Sequence, residues 1–204
     1  MSSPTPLVLA LPARARVASF ADGCRAAAFD FVNRVSLERD KASLAEWLRG
    51  PYRSHVVMLA RSRTQRMGPA SVVPGALERL LDRTRLEVGV GLLRARDPED
   101  SVSFGFHALS AGLVYRCQDS KGEQGWVPVA HPRMRLAERV LSLVAADFLL
   151  RPEAYTGLYT CQDCGFVEID AERAKMGVCG AHAHRPPANS EIRELSPSYV
   201  REAS

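Results

Sequence analysis

Residues 86–92 read LEVGVGL, and this stretch decides the predicted fold. Its leucines and valines alternate with charged or small residues, which is the pattern of a strand with one buried face. The turn-forming sequence DPED follows at 97–100, and residues 102–108 (VSFGFHA) continue the alternation. The pattern predicts two antiparallel strands joined by a tight turn.

Two further apolar runs extend the prediction to four strands. They cover residues 113–117 and 126–129, and the turn-forming sequence KGEQG lies between them at 121–125. Consecutive short strands with turn signals between them are typical of an antiparallel β-meander.

Helical patterns lie on both sides of the predicted meander. Residues 19–35 and 43–49 precede it, and residues 132–150 follow it with a continuous apolar stripe that ends at Arg151-Pro152. The stripe consists of Ala137, Val140, Leu141, Val144 and Phe148. The sequence therefore predicts an α+β fold, with the meander packed against helices, in a first domain that spans residues 1–152.

Two short pairs of potential metal ligands lie near the C-terminus. Two residues separate Cys161 from Cys164 and likewise Cys179 from His182, and fourteen residues lie between the pairs. This spacing indicates a four-ligand zinc site, because each pair can form a tight turn around one ion. Three thiolates and one imidazole complete a tetrahedron, so the expected site holds one structural Zn2+.

The arrangement of Cys161, Cys164, Cys179 and His182 resembles the zinc-ribbon class of modules over this short segment alone. The resemblance implies a small metal-stabilised module, which we place at residues 153–184, with residues 166–169 as a strand that leaves the first pair. Residues 185–204 are rich in Pro, Ser and Glu, and we expect a flexible tail there.

Several alternatives to this ligand set remain open from the sequence. Cys161 and Cys164 could form a redox dithiol, but such pairs normally open a helix, and here a glycine and a β-rich run follow. A disulfide is less favoured still, because nothing in the sequence indicates export. His184 competes with His182 for the fourth position. Cys24 lies on an apolar helical stripe and is expected in the core.

The charge distribution disfavours nucleic acid as the partner of the zinc module. The net charge of the 204 residues is +4. Residues 1–100 carry 16 basic and 11 acidic side chains, whereas residues 151–204 carry 6 basic and 8 acidic ones. A mildly acidic segment is poorly suited to contact a phosphate backbone.

The sequence shows neither an export signal nor a membrane span. The apolar run at 7–11 is shorter than a signal-peptide core, and its arginines follow it instead of preceding it. The most apolar helical stretch, 136–150, contains three charged residues and is too short to span a bilayer. We therefore expect a cytoplasmic protein, in which reduced cysteines stay available to a metal.

Common catalytic motifs are absent, including a phosphate-binding glycine loop and a nucleophile elbow. His107 is predicted opposite Val90 on the apolar face of the meander, where a structural role is favoured, and His131 precedes a helix-opening proline. An enzyme with a dispersed site around His107 and His131 remains an alternative hypothesis.

The sequence RSRTQR at 61–66 is the main basic patch of the chain. Arg61, Arg63 and Arg66 could contact phosphates or a protein partner, but no aromatic residues interleave to stack on bases. A solvated loop is the favoured interpretation, and a nucleic-acid-associated factor is possible but disfavoured.

These observations favour a non-enzymatic, zinc-containing binding or regulatory protein. Its α+β domain would present a surface to a protein partner, and the zinc module would stabilise or extend that surface. The hypothesis depends on the predicted structural metal site together with the absence of catalytic motifs.

Overall fold

The computed structural model of the protein describes residues 8–11, 15–58, 75–131 and 133–182. Its helices are α1 (Val17–Asp30), α2 (Ser36–Glu38), α3 (Lys41–Trp47), α4 (Ala76–Arg96), α5 (Pro98–Ser110), α6 (Leu136–Phe148) and α7 (Ala171–Met176). Its strands are β1 (Leu9–Ala10), β2 (Val57–Met58), β3 (Val114–Gln118), β4 (Gln124–Ala130), β5 (Leu158–Thr160) and β6 (Val167–Ile169). This mixture of helices and strands agrees with the predicted α+β class.

A four-stranded sheet in the order β1-β3-β4-β2 is built around one hairpin. Strands β3 and β4 are antiparallel, with Tyr115 opposite Val127. Strand β1 pairs with β3 and strand β2 with β4, both in parallel. Only the second half of the predicted meander is therefore present as strands.

The first half of the predicted meander is helical, so this part of the prediction is wrong. Helices α4 and α5 cover both of the predicted strands. In α4, Val88 and Leu92 are buried, whereas Leu86 and Val90 are exposed. A strand would place all four side chains on one face, but a helix turns by about 100° per residue and separates them. The alternation arises because α4 carries apolar residues on two opposite sides.

The sequence between α4 and α5 has the chemistry of a helix start. The carboxylate of Asp97 accepts a hydrogen bond from the backbone N–H of Glu99 at 3.0 Å. Pro98 occupies the first helical position, where its missing N–H costs nothing. The negative charges of Glu99 and Asp100 also stabilise the helix, because they lie at the positive, N-terminal end of its dipole. The sequence DPED therefore caps a helix here and does not form a hairpin turn.

Helix α6 is the element around which the core is assembled. Helices α1, α4 and α5 and strand β4 all pack against it. Four residues of the predicted stripe are buried and Leu141 is half-buried, which confirms the helix. It begins at Leu136, so the predicted start at residue 132 is wrong. At its start, Glu138 accepts a hydrogen bond from the backbone N–H of Arg135 at 2.8 Å. Across the described ranges, none of the helices combines the length and apolarity that a membrane-crossing segment needs.

A buried carboxylate connects this core to the C-terminal segment. Asp147 of α6 is fully buried and pairs with Arg151 and with Arg25 of α1. It also accepts a hydrogen bond from the hydroxyl of Tyr155 at 3.0 Å. Burial, reinforced by the Asp147 carboxylate, raises the pKa of Tyr155 well above its ordinary value. The 3-10 turn Pro152–Gly157, which leads to β5, is thereby fixed to the core.

Candidate metal centre

Cys161, Cys164, Cys179 and His182 converge on one point, with all four ligand atoms within 4.8 Å of one another. The Nδ1 atom of His182 lies 3.5 Å from the Cys161 sulfur and 3.2 Å from the Cys179 sulfur. The Cys164 and Cys179 sulfurs are 3.8 Å apart. Bonds of about 2.3 Å to sulfur and about 2.0 Å to nitrogen around a tetrahedral ion give ligand separations of about 3.5–3.8 Å. The four side chains could therefore bind one metal ion.

The first ligand pair lies in the connection between β5 and β6, which form an antiparallel hairpin. The backbone N–H of Cys161 donates to the Phe166 carbonyl at 2.7 Å, and that of Gly165 donates to the Cys161 carbonyl at 2.8 Å. Gly165 has a φ of +69°, in the left-handed region that glycine adopts without strain. This turn points the thiols of Cys161 and Cys164 to the same side.

The second ligand pair follows helix α7, which ends at Gly177. The backbone N–H of Gln162 donates to the Gly177 carbonyl at 3.0 Å, so the end of α7 is fixed to the first ligand turn. The N–H of His182 donates to the Cys179 carbonyl at 2.9 Å and closes the second turn. Local backbone bonds thus position both pairs, as the two-residue spacing predicted.

The electrostatics of the cluster suit a bound cation. Burial alone would raise the pKa of Cys161, but backbone N–H groups of Cys179, Cys164 and Asp163 donate to its sulfur and lower the pKa to about 6. Burial and the neighbouring thiols raise the pKa of Cys164. Several thiolates in one place repel one another, and a divalent ion removes that repulsion. Three sulfurs and one imidazole nitrogen form a donor set that zinc prefers.

Asn33 attaches the hairpin that carries Cys161 and Cys164 to the helical core. It lies in the π-helical turn Phe31–Val35, between α1 and α2. Its side-chain amide donates to the Val167 carbonyl at 2.8 Å and accepts from the Val167 N–H at 2.7 Å. Asn33 therefore occupies the position that a neighbouring strand would have beside β6. Sequence reasoning missed this residue, because a single asparagine carries no signal for a partner 134 residues away.

Helix α4 makes a second attachment to the same hairpin. The guanidinium of Arg85 donates to the Gly165 carbonyl at 3.1 Å. Leu158 of β5 and Val167 of β6 also belong to the main hydrophobic core. The metal cluster is thus connected directly to the helix that carries residues 86–93.

His107 and His131 line one cavity of about 480 Å³. The floor of the cavity includes the buried side chains of Leu113 and Val129. His107 is exposed on α5, so its predicted position opposite Val90 on a sheet face is wrong, because both residues are in helices. His131 accepts a hydrogen bond at Nδ1 from the N–H of the residue two positions later, at 3.3 Å.

Several predicted features lie outside the described residues. These are the partner-binding candidates Arg61, Arg63 and Arg66, the rival ligand His184 and the tail at 185–204. Their predicted roles therefore stay predictions. Cys24 is fully buried in the main core, which confirms its structural interpretation.

An exposed apolar surface on α4 and α5 was also missed by sequence reasoning. Seven large apolar side chains of α4 and α5 are between 42% and 79% exposed, and six of them share a regular helical spacing. The six are Leu86, Val90 and Leu93 on α4, and Val102, Phe106 and Leu109 on α5, and we call them the α4–α5 surface. On each helix the three residues recur at i, i+4 and i+7, which places them on one side. The signal was present in the sequence as the alternation that suggested strands.

No family model, curated protein or solved structure matches the chain. The predicted resemblance to zinc ribbons is therefore not supported by a family match and stays a prediction.

Proposed function

We propose that the protein is a non-enzymatic binding protein whose C-terminal segment is held by one structural Zn2+. The observation that carries this proposal is the convergence of Cys161, Cys164, Cys179 and His182, whose ligand atoms all lie within 4.8 Å of one another. Four protein ligands leave no position for water or substrate, so the ion would stabilise structure. Helix α7 has no buried residue, and a structural zinc contributes on the order of 10 kcal/mol to small modules of this kind.

The α4–α5 surface supports protein binding as the activity. Contiguous exposed apolar patches on soluble proteins commonly mark interaction sites, whereas single exposed apolar residues do not. Arg85 precedes the first residue of the surface, Leu86, and bonds to the Gly165 carbonyl inside the first ligand turn. A bound ion that fixes this turn would therefore also fix the helix that presents the surface.

Metal analysis tests the first part of the proposal. Protein purified without chelator should carry one zinc per chain, and Cys164→Ser should lose it. Asp163→Ala is the matched control, because Asp163 is exposed between two ligands and its side chain is not a ligand in the cluster. A wild-type content well under one equivalent would refute the zinc site.

Site-specific crosslinking tests the second part. A photo-crosslinking residue in place of Phe106, which is 71% exposed, should trap a defined protein in the native host. The same residue in place of Leu37, 44% exposed on α2, should not. The trapped protein must then bind the purified chain, with affinity lost in Phe106→Glu and retained in Leu37→Glu. Equal binding by both variants would contradict a role for the α4–α5 surface.

A second candidate function is a small-molecule site, because His107 and His131 line the same cavity. Two imidazoles around a cavity with an apolar floor could orient a ligand or transfer a proton. A compound that raises the melting temperature of the wild type but not of the His107→Ala/His131→Ala variant would support this function. A compound screen that yields no such difference would count against it.

A further inference from the structure

We infer that the α4–α5 surface is the contact between two copies of this chain, which pair as a symmetric dimer with their α4 helices antiparallel. This inference rests on the proposed protein-binding function and names its partner. It is drawn from the position, size and flanking charges of the surface.

The apolar residues of α4 form two stripes on opposite sides of the helix. Leu81, Val88 and Leu92 face the core and are buried. Leu86, Val90 and Leu93 face the other way and are 70%, 51% and 59% exposed. Their i, i+4, i+7 spacing is that of the seam between two paired helices. Packing within one chain accounts for the first stripe only.

The size of the surface suits a dimer interface. The six side chains together expose roughly 600 Å², and a standard stable interface buries about 800 Å² on each partner, including its polar rim. The stripe on α4 alone offers about half of the apolar area, so the residues of α5 are required as well. Helices α4 and α5 pack against each other and are joined by Asp97 alone.

The charges at the two ends of the α4 stripe favour an antiparallel second copy. Exposed Arg79 and Arg83 precede the stripe, and Arg83 also pairs with Glu87 of the same helix at 2.8 Å. Exposed Asp97 follows the stripe, and exposed Asp100 lies just beyond it in the first turn of α5. A two-fold axis near Val90 would place the basic end of one α4 opposite the acidic end of the other. A parallel arrangement would bring like charges together.

Other charged residues of α4 near these ends are bonded within the chain or project away from the stripe. Arg94 donates to the Ser103 hydroxyl of α5 at 2.9 Å, and Arg85 donates to the Gly165 carbonyl. Asp82 is paired with Arg39 of the same chain at 2.8 Å. Arg96 projects from the side of α4, about 100° away from the centre of the stripe by helical geometry. The charges that lie in line with the stripe are therefore self-complementary, as a symmetric interface requires.

Sedimentation equilibrium on the full-length, metal-loaded chain tests the inference. The wild type should be a dimer in the micromolar range. Val90→Glu should weaken dimerisation at least tenfold, because it introduces two carboxylates at the two-fold axis. Leu37→Glu, a change on α2 at a residue that is 44% exposed, should leave the dimer intact. A wild type that stays monomeric throughout the range, or a dimer that Val90→Glu leaves unchanged, would overturn the inference.

Disulfide crosslinking tests the antiparallel geometry. Only residues near the axis approach their own copy, so Val90→Cys should form a linked dimer on mild oxidation. Leu86→Cys lies about 6 Å along α4 from the axis and should not crosslink, whereas in a parallel pair it would face its own copy and crosslink as well. The parent chain, with its five native cysteines, supplies the background. The axis near Val90 would be refuted if both introduced cysteines crosslink, and equally if neither of them does.

Metal content separates the failure of this inference from the failure of the proposed zinc site. Val90 is remote in sequence from the four ligands, and Val90→Glu should keep one zinc per chain. A monomeric wild type that binds zinc, and that captures a different protein through Phe106, would overturn the dimer and leave the proposed function standing.

Discussion

At the scale of single residues, the cluster that could bind a metal was predictable from the sequence, and the residues that support it were not. The spacing of Cys161 and Cys164 identifies this pair in the sequence, because two intervening residues allow a tight turn wherever the segment lies in the fold. Asn33 and Arg85 act on the same hairpin from distant positions in the chain. Nothing in the local sequence around either residue distinguishes it from an ordinary helix-surface residue.

Asn33→Ala should lower the free energy of unfolding by about 1–3 kcal/mol, because it leaves the N–H and carbonyl of Val167 without their partners. Asn33→Asp is the comparison variant: its carboxylate still accepts from the Val167 N–H, but its second oxygen faces the Val167 carbonyl oxygen. Because two acceptors repel each other, its loss of stability should be at least as large as that of Asn33→Ala. Urea unfolding of the three proteins measures this, and identical stabilities would show that the amide does not attach the hairpin.

At the scale of elements, periodicity identified α6 correctly and failed for α4 and α5. Helix α6 buries one continuous stripe, so its sequence shows the helical period plainly. Helix α4 has apolar residues on two opposite sides, and in the sequence these two stripes together give the alternating pattern that is typical of a strand. The sequence at Asp97 and Pro98 could have corrected the strand prediction, since an Asp followed by a Pro is typical of a helix start as well as of a turn.

The two interpretations of residues 86–92 predict different mutational effects. In a strand Val88 and Val90 would be equally buried, but in α4 Val88 is fully buried and Val90 is 51% exposed. Val88→Ala should therefore cost about 2 kcal/mol of stability, and Val90→Ala should stay within about 0.5 kcal/mol. Thermal unfolding at concentrations below dimerisation measures both. Equal losses would contradict the helix.

At the scale of the whole molecule, the proposed division into residues 1–152 and 153–184 predicts that the two units unfold in separate steps. The helices of the core pack mainly on one another, yet Leu158 and Val167 contribute to the same core. We predict that the second unit is folded only when the metal is bound, and that the first unit remains folded without the metal. Sequence alone could not address this, because packing between the two units depends on contacts far apart in the chain.

Metal removal by Cys164→Ser should expose the chain beyond residue 157 to limited proteolysis. The far-ultraviolet circular dichroism of the helical core should change little. Asp163→Ala should resist the protease as the wild type does. A Cys164→Ser chain that loses its helices in one cooperative step would show that residues 153–184 are part of a single folding unit.

The proposed function depends on a closed zinc site in the C-terminal segment. X-ray absorption spectroscopy at the zinc edge measures the number and type of the ligands there. A closed tetrahedral site requires a four-coordinate ion with three sulfurs at about 2.3 Å and one nitrogen at about 2.0 Å. A first shell with oxygen or water ligands, with fewer than three sulfurs, or with more than four ligands would contradict a closed site formed by Cys161, Cys164, Cys179 and His182.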